Sequence, residues 1–261
     1  MYARHPAIRI LVGFVFLIML APIFVVMAVS FSPSAAFRVP LSEASLQWYE
    51  KFFTNENFTT SLFFVSLPLA IVSSVAASTI GTLAAIGLVR LRLVARDAIE
   101  SFFMLPLLIP SILLGAAMYL TASLLGFGTT FWVLALGHTL LGIPYAIRVV
   151  GAGLVSVDAR LEEAAISLGC TPVQAFIRAV LPLLRSSILS GAIFAFIVSF
   201  SDINLALFLA GPGTTTLPVH IYSQIFWDSD PTIAAASTMQ IVIVGGLILT
   251  AQRLFKIRLS F

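Results

Sequence analysis

Charge is scarce in this chain. Of 261 residues, 10% are Asp, Glu, Lys or Arg and 60% are hydrophobic, whereas a soluble domain carries about a quarter charged residues. With a mean hydropathy of +1.09, an ordinary soluble domain is excluded and the composition belongs in a bilayer. Cysteine is nearly absent. Cys170 stands alone, so there is no disulfide framework and no cysteine-rich metal site, and it reads as a small buried residue of its loop. His5, His138 and His220 are scattered without ligand-like spacing and read as structural. Lysine is nearly as rare: Lys51 precedes Phe52 and Lys256 precedes Ile257. Neither can close a P-loop, which needs a Gly-rich turn ending in Lys then Ser or Thr. No nucleophile–His–acid set is present, and Glu162 and Glu163, as helix neighbours, point different ways. The chain is therefore not expected to be an enzyme, nor to hold a cofactor or a metal. The net charge of +3 invites a nucleic-acid partner, but the basic residues lie between apolar runs rather than on one face. That class is set aside.

What the chain has is apolar length. A helix needs about 20 apolar residues to cross the hydrocarbon core, and six stretches qualify: 10–31, 62–89, 101–125, 131–153, 186–210 and 233–253. The expectation is an all-α integral membrane protein, with residues 1–261 forming one transmembrane domain. The first stretch follows Arg4, His5 and Arg9 as a secretory signal would. Its apolar run is too long and no small-x-small cleavage site follows, so it reads as a retained span.

Basic residues then orient the chain. With the N-terminus inside, the inner segments hold Arg4, Arg9, Arg90, Arg92, Arg96, Arg148, Arg160, Arg178, Arg185, Arg253, Lys256 and Arg258, and the outer ones Arg38 and Lys51. Twelve against two of the 14 basic residues predicts six spans with both termini cytoplasmic. Trp48, Trp132 and Trp227 fall at the outer boundary as an aromatic belt. Pro68, Pro106, Pro110 and Pro144 predict bends inside spans, and Gly81, Ala84, Ala85 and Gly87 fit close helix packing. Between the first two spans, Leu46-Gln47-Trp48-Tyr49 and Phe52-Phe53 predict an amphipathic surface helix. Leu217-Pro218 followed by residues up to Trp227 predicts a re-entrant or interfacial helix.

One polar island interrupts the oil, residues 158–185, within a cytoplasmic loop of 154–185. Asp158 is an expected N-cap, with Glu162 and Glu163 in the first turns where negative charge suits the helix dipole. Leu161, Ala164, Ala165 and Leu168 recur at helical spacing, and Gly169 sits at a C-terminal stop. Thr171-Pro172-Val173-Gln174 restarts the helix, with Thr as N-cap, Pro at the first position and Gln three after the cap. Leu181-Pro182 predicts its end near Ala179 or Val180. A merely solvated loop is the alternative.

These residues carry a resemblance. Glu163-Ala164-Ala165, three residues, Gly169, nine residues, Ala179, one residue and Leu181-Pro182 resembles the EAA loop of ABC-importer permeases, departing at Ala179, where the family most often has Ile. The six spans, Trp48-Tyr49, Gly211-Pro212, Leu217-Pro218 and Ile221-Tyr222-Ser223 resemble the second permease subunit of spermidine/putrescine-type importers. The resemblance implies the type I (methionine-permease-like) importer fold in a bacterial inner membrane. It also implies a second homologous permease, a dimer of ATPase subunits and an extracytoplasmic solute-binding protein as partners. The island would be the coupling helix (158–180), with Glu162, Glu163, Ala164, Ala165, Leu168, Gly169 and Pro172 at the ATPase interface.

Asp202 is the acidic residue well inside a span, ~12 Å from Ala210 at about 1.5 Å per residue. An acid at that depth faces a cavity or a partner by default. With Ser199 and Asn204 it is a candidate for the translocation path, attracting a cationic or amine-bearing solute. The other reading is a structural acid that caps a broken helix or pairs with an arginine of the other permease subunit. A secondary carrier using Asp202 as an ion or proton site is the rival function, though such carriers often show inverted repeats that this chain lacks. A scaffold protein ranks behind both.

Overall fold

The computed structural model describes residues 6–34, 43–91, 94–227 and 230–255. Within them the chain forms helices α1 (Pro6–Val29), α2 (Gln47–Thr54), α3 (Glu56–Thr59), α4 (Leu67–Arg90), α5 (Arg96–Leu108), α6 (Ser111–Leu124) and α7 (Phe131–Ser156). There follow α8 (Arg160–Ser167), α9 (Pro172–Ala175), α10 (Leu181–Ser201), α11 (Ala206–Leu209), α12 (Leu217–Trp227) and α13 (Thr232–Phe255). Wider π-helical turns, Thr60–Ser66 and Phe176–Val180, lead into α4 and α10. Both precede a proline, Pro68 and Pro182. A proline lacks the N–H and its ring meets the carbonyl four residues back, so the widened turn carries the helix past it. The helix begun at Pro172 therefore does not end near Val180. It continues as one run to Ser201.

Five helical runs are long and apolar enough to cross a membrane: Ile8–Val29, Glu56–Arg90, Phe131–Ser156, Pro172–Ser201 and Thr232–Arg253. The stretch expected as a third span, with bends at Pro106 and Pro110, is α5 and α6, bent by 97°. Ile109 is extended (φ −85°, ψ 128°) before Pro110, as pre-proline sterics require. Pro106 and Pro144 stay inside their helices.

Two compact units divide the described residues. One comprises those up to Thr59 with His220–Ile243, the other Thr60–Val219 with those from Val244 onward. In the first unit α1 exposes apolar side chains along its length, from Ile10 to Val25. The amphipathic helix α2 buries Trp48 and Phe52. Trp48 is turned inward, its Nε1–H donating to the Ser32 carbonyl at 2.7 Å, so it is not an outward belt residue. Trp132 is 71% exposed. Tyr49 Oη lies 2.7 Å from Ser30 Oγ, Phe58 stacks edge-on to His220 at 4.5 Å, and Lys51 pairs with Asp230. His5 lies outside the described residues.

In the second unit α4, α7 and α10 pack through small residues. A Cβ on Gly81 would come within 2.5 Å of Ala146 Cβ, and one on Gly142 within 2.8 Å of Ala77 and 3.0 Å of Ala195. Without a hydrophobic driving force between helices in lipid, such close approach maximises dispersion contact. Ser73 Oγ donates to the Ala135 carbonyl and Ser78 Oγ to that of Ile188, tying α4 to both neighbours. Ala85 joins this packing, while Gly87 meets nothing within 4 Å and is not a packing site. Below it, Ala85, Val150, Leu154, Val180 and Leu184 form a buried apolar cluster where the island joins the bundle.

Candidate functional site

The island folds as two short helices meeting at a corner. Asp158 acts one position earlier than expected: its Oδ1 accepts from the Arg160 N–H at 2.9 Å, and Ala159 occupies the cap position. α8 closes in a Schellman pattern, Cys170 N–H to the Ala165 carbonyl (3.1 Å) and Gly169 N–H to that of Ile166 (2.9 Å). Gly169 holds φ +93°, which favours glycine. Thr171 and Gln174 then form the reciprocal capping box, at 3.3 and 3.2 Å. Cys170 is half-buried rather than buried.

Two short helices so firmly capped expose apolar groups. Leu161 (46%), Ile166 (43%), Leu168 (87%), Val173 (68%) and Ile177 (52%) are all exposed. Glu163, Ala164, Gly169 and Pro172 are exposed as well, and Ala165 is half-buried. Glu162 differs. It accepts from Arg90 Nη1 at the end of α4, at 2.6 Å. Sequence reading missed Arg90 because its partner lies 72 positions away and no local pattern joins them.

The second site surrounds Asp202. The residue is not inside a helix: α10 ends at Ser201, and Asp202 is extended (φ −72°, ψ 135°). Its Oδ2 accepts from the N–H groups of Leu205 (3.0 Å) and Ala206 (3.1 Å), capping the turn that opens α11. Close approach fixes that segment, since a Cβ on Gly115 of α6 would lie 2.8 Å from the Leu205 carbonyl oxygen. Oδ1 makes no hydrogen bond among the described residues. Asp202 lines a cleft of about 460 Å³ with Pro106, Pro110 and Ser111 of the α5–α6 elbow and with Tyr145 and Val198. The elbow and Tyr145 were missed, because Pro110 marked a bend without saying what it would enclose.

Ser199 and Asn204 do not join it. Ser199 is 3% exposed, its Oγ 2.9 Å from His138 Nδ1 in the core between α10 and α7. Asn204 is exposed elsewhere. Of the three path candidates, the structure brings only Asp202 to the cleft.

Known proteins match this architecture. Over residues 77–259 the chain fits the family described as "Binding-protein-dependent transport system inner membrane component". It is 31% identical over 246 residues to the putrescine transport system permease protein PotI of Escherichia coli K12, covering 90% of this chain and 85% of that one. It is 27% identical over 208 residues to the spermidine/putrescine transport system permease protein PotC of Haemophilus influenzae, covering 80% of each. The fold is like that of a bacterial ABC transporter involved in alginate import (TM-score 0.72, 17% identity, 95% and 94% covered). It is also like the inward-facing MetNI methionine ABC transporter (TM-score 0.63, 18% identity, 77% and 98% covered). Nothing among these supports a secondary carrier. The chain belongs to the inner-membrane components of binding-protein-dependent transport systems and is the permease component of an ABC importer with the type I fold.

Proposed function

We propose that this permease moves a small cationic solute of polyamine type, driven by a separate ATPase dimer that docks on the corner formed by residues 158–180. The observation that carries the docking is the exposure of Leu161, Ile166, Leu168, Val173 and Ile177 on the capped corner. Large apolar groups left exposed on a polar loop suit an interaction surface. Glu163, Ala164, Ala165, Gly169 and Pro172 contribute to it, with small residues allowing close insertion into a groove. Glu163 supplies a charge for a basic residue there, though an exposed pair adds little affinity alone.

For the solute, the named relatives carry putrescine and spermidine, and Asp202 supplies the matching chemistry. Its Oδ2 serves the turn, while Oδ1 is left to attract an ammonium group entering the cleft. Both termini are cytoplasmic in this reading, which puts the corner on the ATPase side. The partners are a second homologous permease, two ATPase subunits and an extracytoplasmic solute-binding protein. ATP-driven closure of the ATPases draws the coupling helices together and opens the solute cavity outward.

Two sets of variants test this. Glu163→Arg and Gly169→Asp should abolish ATPase-coupled uptake by the assembled complex; unchanged uptake removes the docking assignment. Asp202→Asn keeps an oxygen to cap the turn but loses the charge. It should lower polyamine uptake while leaving the purified permease as stable as before, and an unaltered transport profile leaves Asp202 as a cap alone.

A further inference from the structure

The two adjacent glutamates of α8 have different surroundings. Glu163 is exposed. Glu162 is held by Arg90 Nη1 at 2.6 Å, and both partners are half-buried, at 21% and 26% exposure. Arg90 is the last residue of α4, the helix packed against α7 through Ala77 and Gly81 and tied to α10 by the bond from Ser78 Oγ to the Ile188 carbonyl.

α8 itself has no buried residue, so no apolar side chain pins it to the bundle. Its C-terminal connection is anchored, because Ala175 and Val180 are fully buried. Between α8 and that anchor stands the Gly169 turn, and before it α7 has ended at Ser156. α8 is thus a short rod with a turn at each end. Among the described residues, Arg90–Glu162 is the one ion pair tying it to any span.

We propose that Arg90 is a positioning residue of the coupling step: by clamping Glu162 it makes α4 follow α8 when α8 is displaced. The inference rests on the reading of α8 as the ATPase-docking helix. A guanidinium–carboxylate hydrogen bond is directional and charge-assisted, and the planar guanidinium gives it an orientation that a lysine ammonium lacks. A pair this near the surface contributes little to overall stability. Its removal therefore leaves the bundle folded and changes only what α8 drags with it.

The test uses the complete transporter in proteoliposomes, with ATP hydrolysis and solute uptake measured separately. Arg90→Gln and Glu162→Gln should keep the ATPase bound and hydrolysing, while solute imported per ATP falls about five- to tenfold, within the range of coupling between sites. Arg90→Lys, the milder variant should Arg90→Gln reduce yield, should fall between. The charge-swapped pair, Arg90→Glu with Glu162→Arg, should recover most of the ratio. An unchanged ratio in the single variants, or a swap no better than either single variant, overturns the clamp. Glu163→Arg separates the two ideas: if it leaves the ATPase docked and coupled, the docking reading falls and the clamp with it. If Glu163→Arg releases the ATPase but Arg90→Gln has no effect, the clamp alone is wrong.

Discussion

His138 and Ser199 meet in the core of the helical bundle, Nδ1 to Oγ at 2.9 Å, across 61 positions of sequence. Ser199 is a candidate for the solute path by sequence, and His138 reads as structural. The contact turns Ser199 inward. It satisfies one ring nitrogen of a fully buried His138, whose Nε2 has no partner among the described residues. A buried polar group without a hydrogen bond is costly, so Ser199 is part of what holds α7 to α10.

Ser199→Ala should therefore act on stability and not on solute choice. It leaves both imidazole nitrogens unpartnered, at a cost of about 1–3 kcal/mol. The thermal unfolding midpoint of the purified permease should fall while the ranking of transported solutes stays the same. A changed ranking with an unchanged midpoint would return Ser199 to the solute path.

The glycines of α4 give a paired test of packing. At Gly81 a Cβ would stand 2.5 Å from Ala146 Cβ, whereas at Gly87 it would meet nothing within 4 Å. Gly81→Val should force α4 off α7, at the roughly 1–3 kcal/mol or more of an overpacked core, and lower the yield of monodisperse protein. Gly87→Ala should be neutral or slightly stabilising, since alanine restricts the unfolded chain. Size-exclusion profiles and unfolding midpoints decide, and equal behaviour of the two variants would contradict the packing.

Asp230 sets a pH dependence for the first unit. Burial pushes its carboxyl up, but Lys51 and the Thr232 N–H outweigh this and hold it below the usual carboxylate value. A carboxyl depressed in the folded state contributes stability that is fully present above the unfolded value of about 3.9. It is lost as pH falls through the lower folded value. Asp230→Asn should thus be less stable than the natural chain near neutrality, with the difference closing below pH ~4. Unfolding midpoints across pH 3–7 measure it. A constant difference would mean that the charge of Asp230 is immaterial.

Much of the corner was legible because its devices are local. Thr171, Pro172 and Gln174 act within one helical turn, and Gly169 acts on its own φ, so the caps follow from neighbouring residues. Asp158 was displaced by one position because Ser, Asp and Asn satisfy a nearby N–H from more than one site. The end assigned near Val180 failed for a different reason. Proline forbids the ordinary hydrogen bond but not the helix direction, and a π turn keeps that direction through Pro182. The Asp202 cleft was half legible. A lone acid among apolar residues announced an unusual environment, yet the 97° elbow that encloses it depends on α6 packing Gly115 against Leu205.

By itself the sequence determined the solvent of this protein, its helical class and its capped corner. Composition, apolar run length and capping chemistry each act over distances that neighbouring residues span. Only the tertiary structure decided the facing of side chains: Ser199 and Trp48 turned inward, Asp202 ending a helix at a cleft, and Glu162 claimed by Arg90 while Glu163 stays exposed. Helical periodicity says which residues share a face. It does not say toward what that face is rotated, and here that rotation follows from close contacts such as Gly81 on Ala146, between helices far apart in the chain.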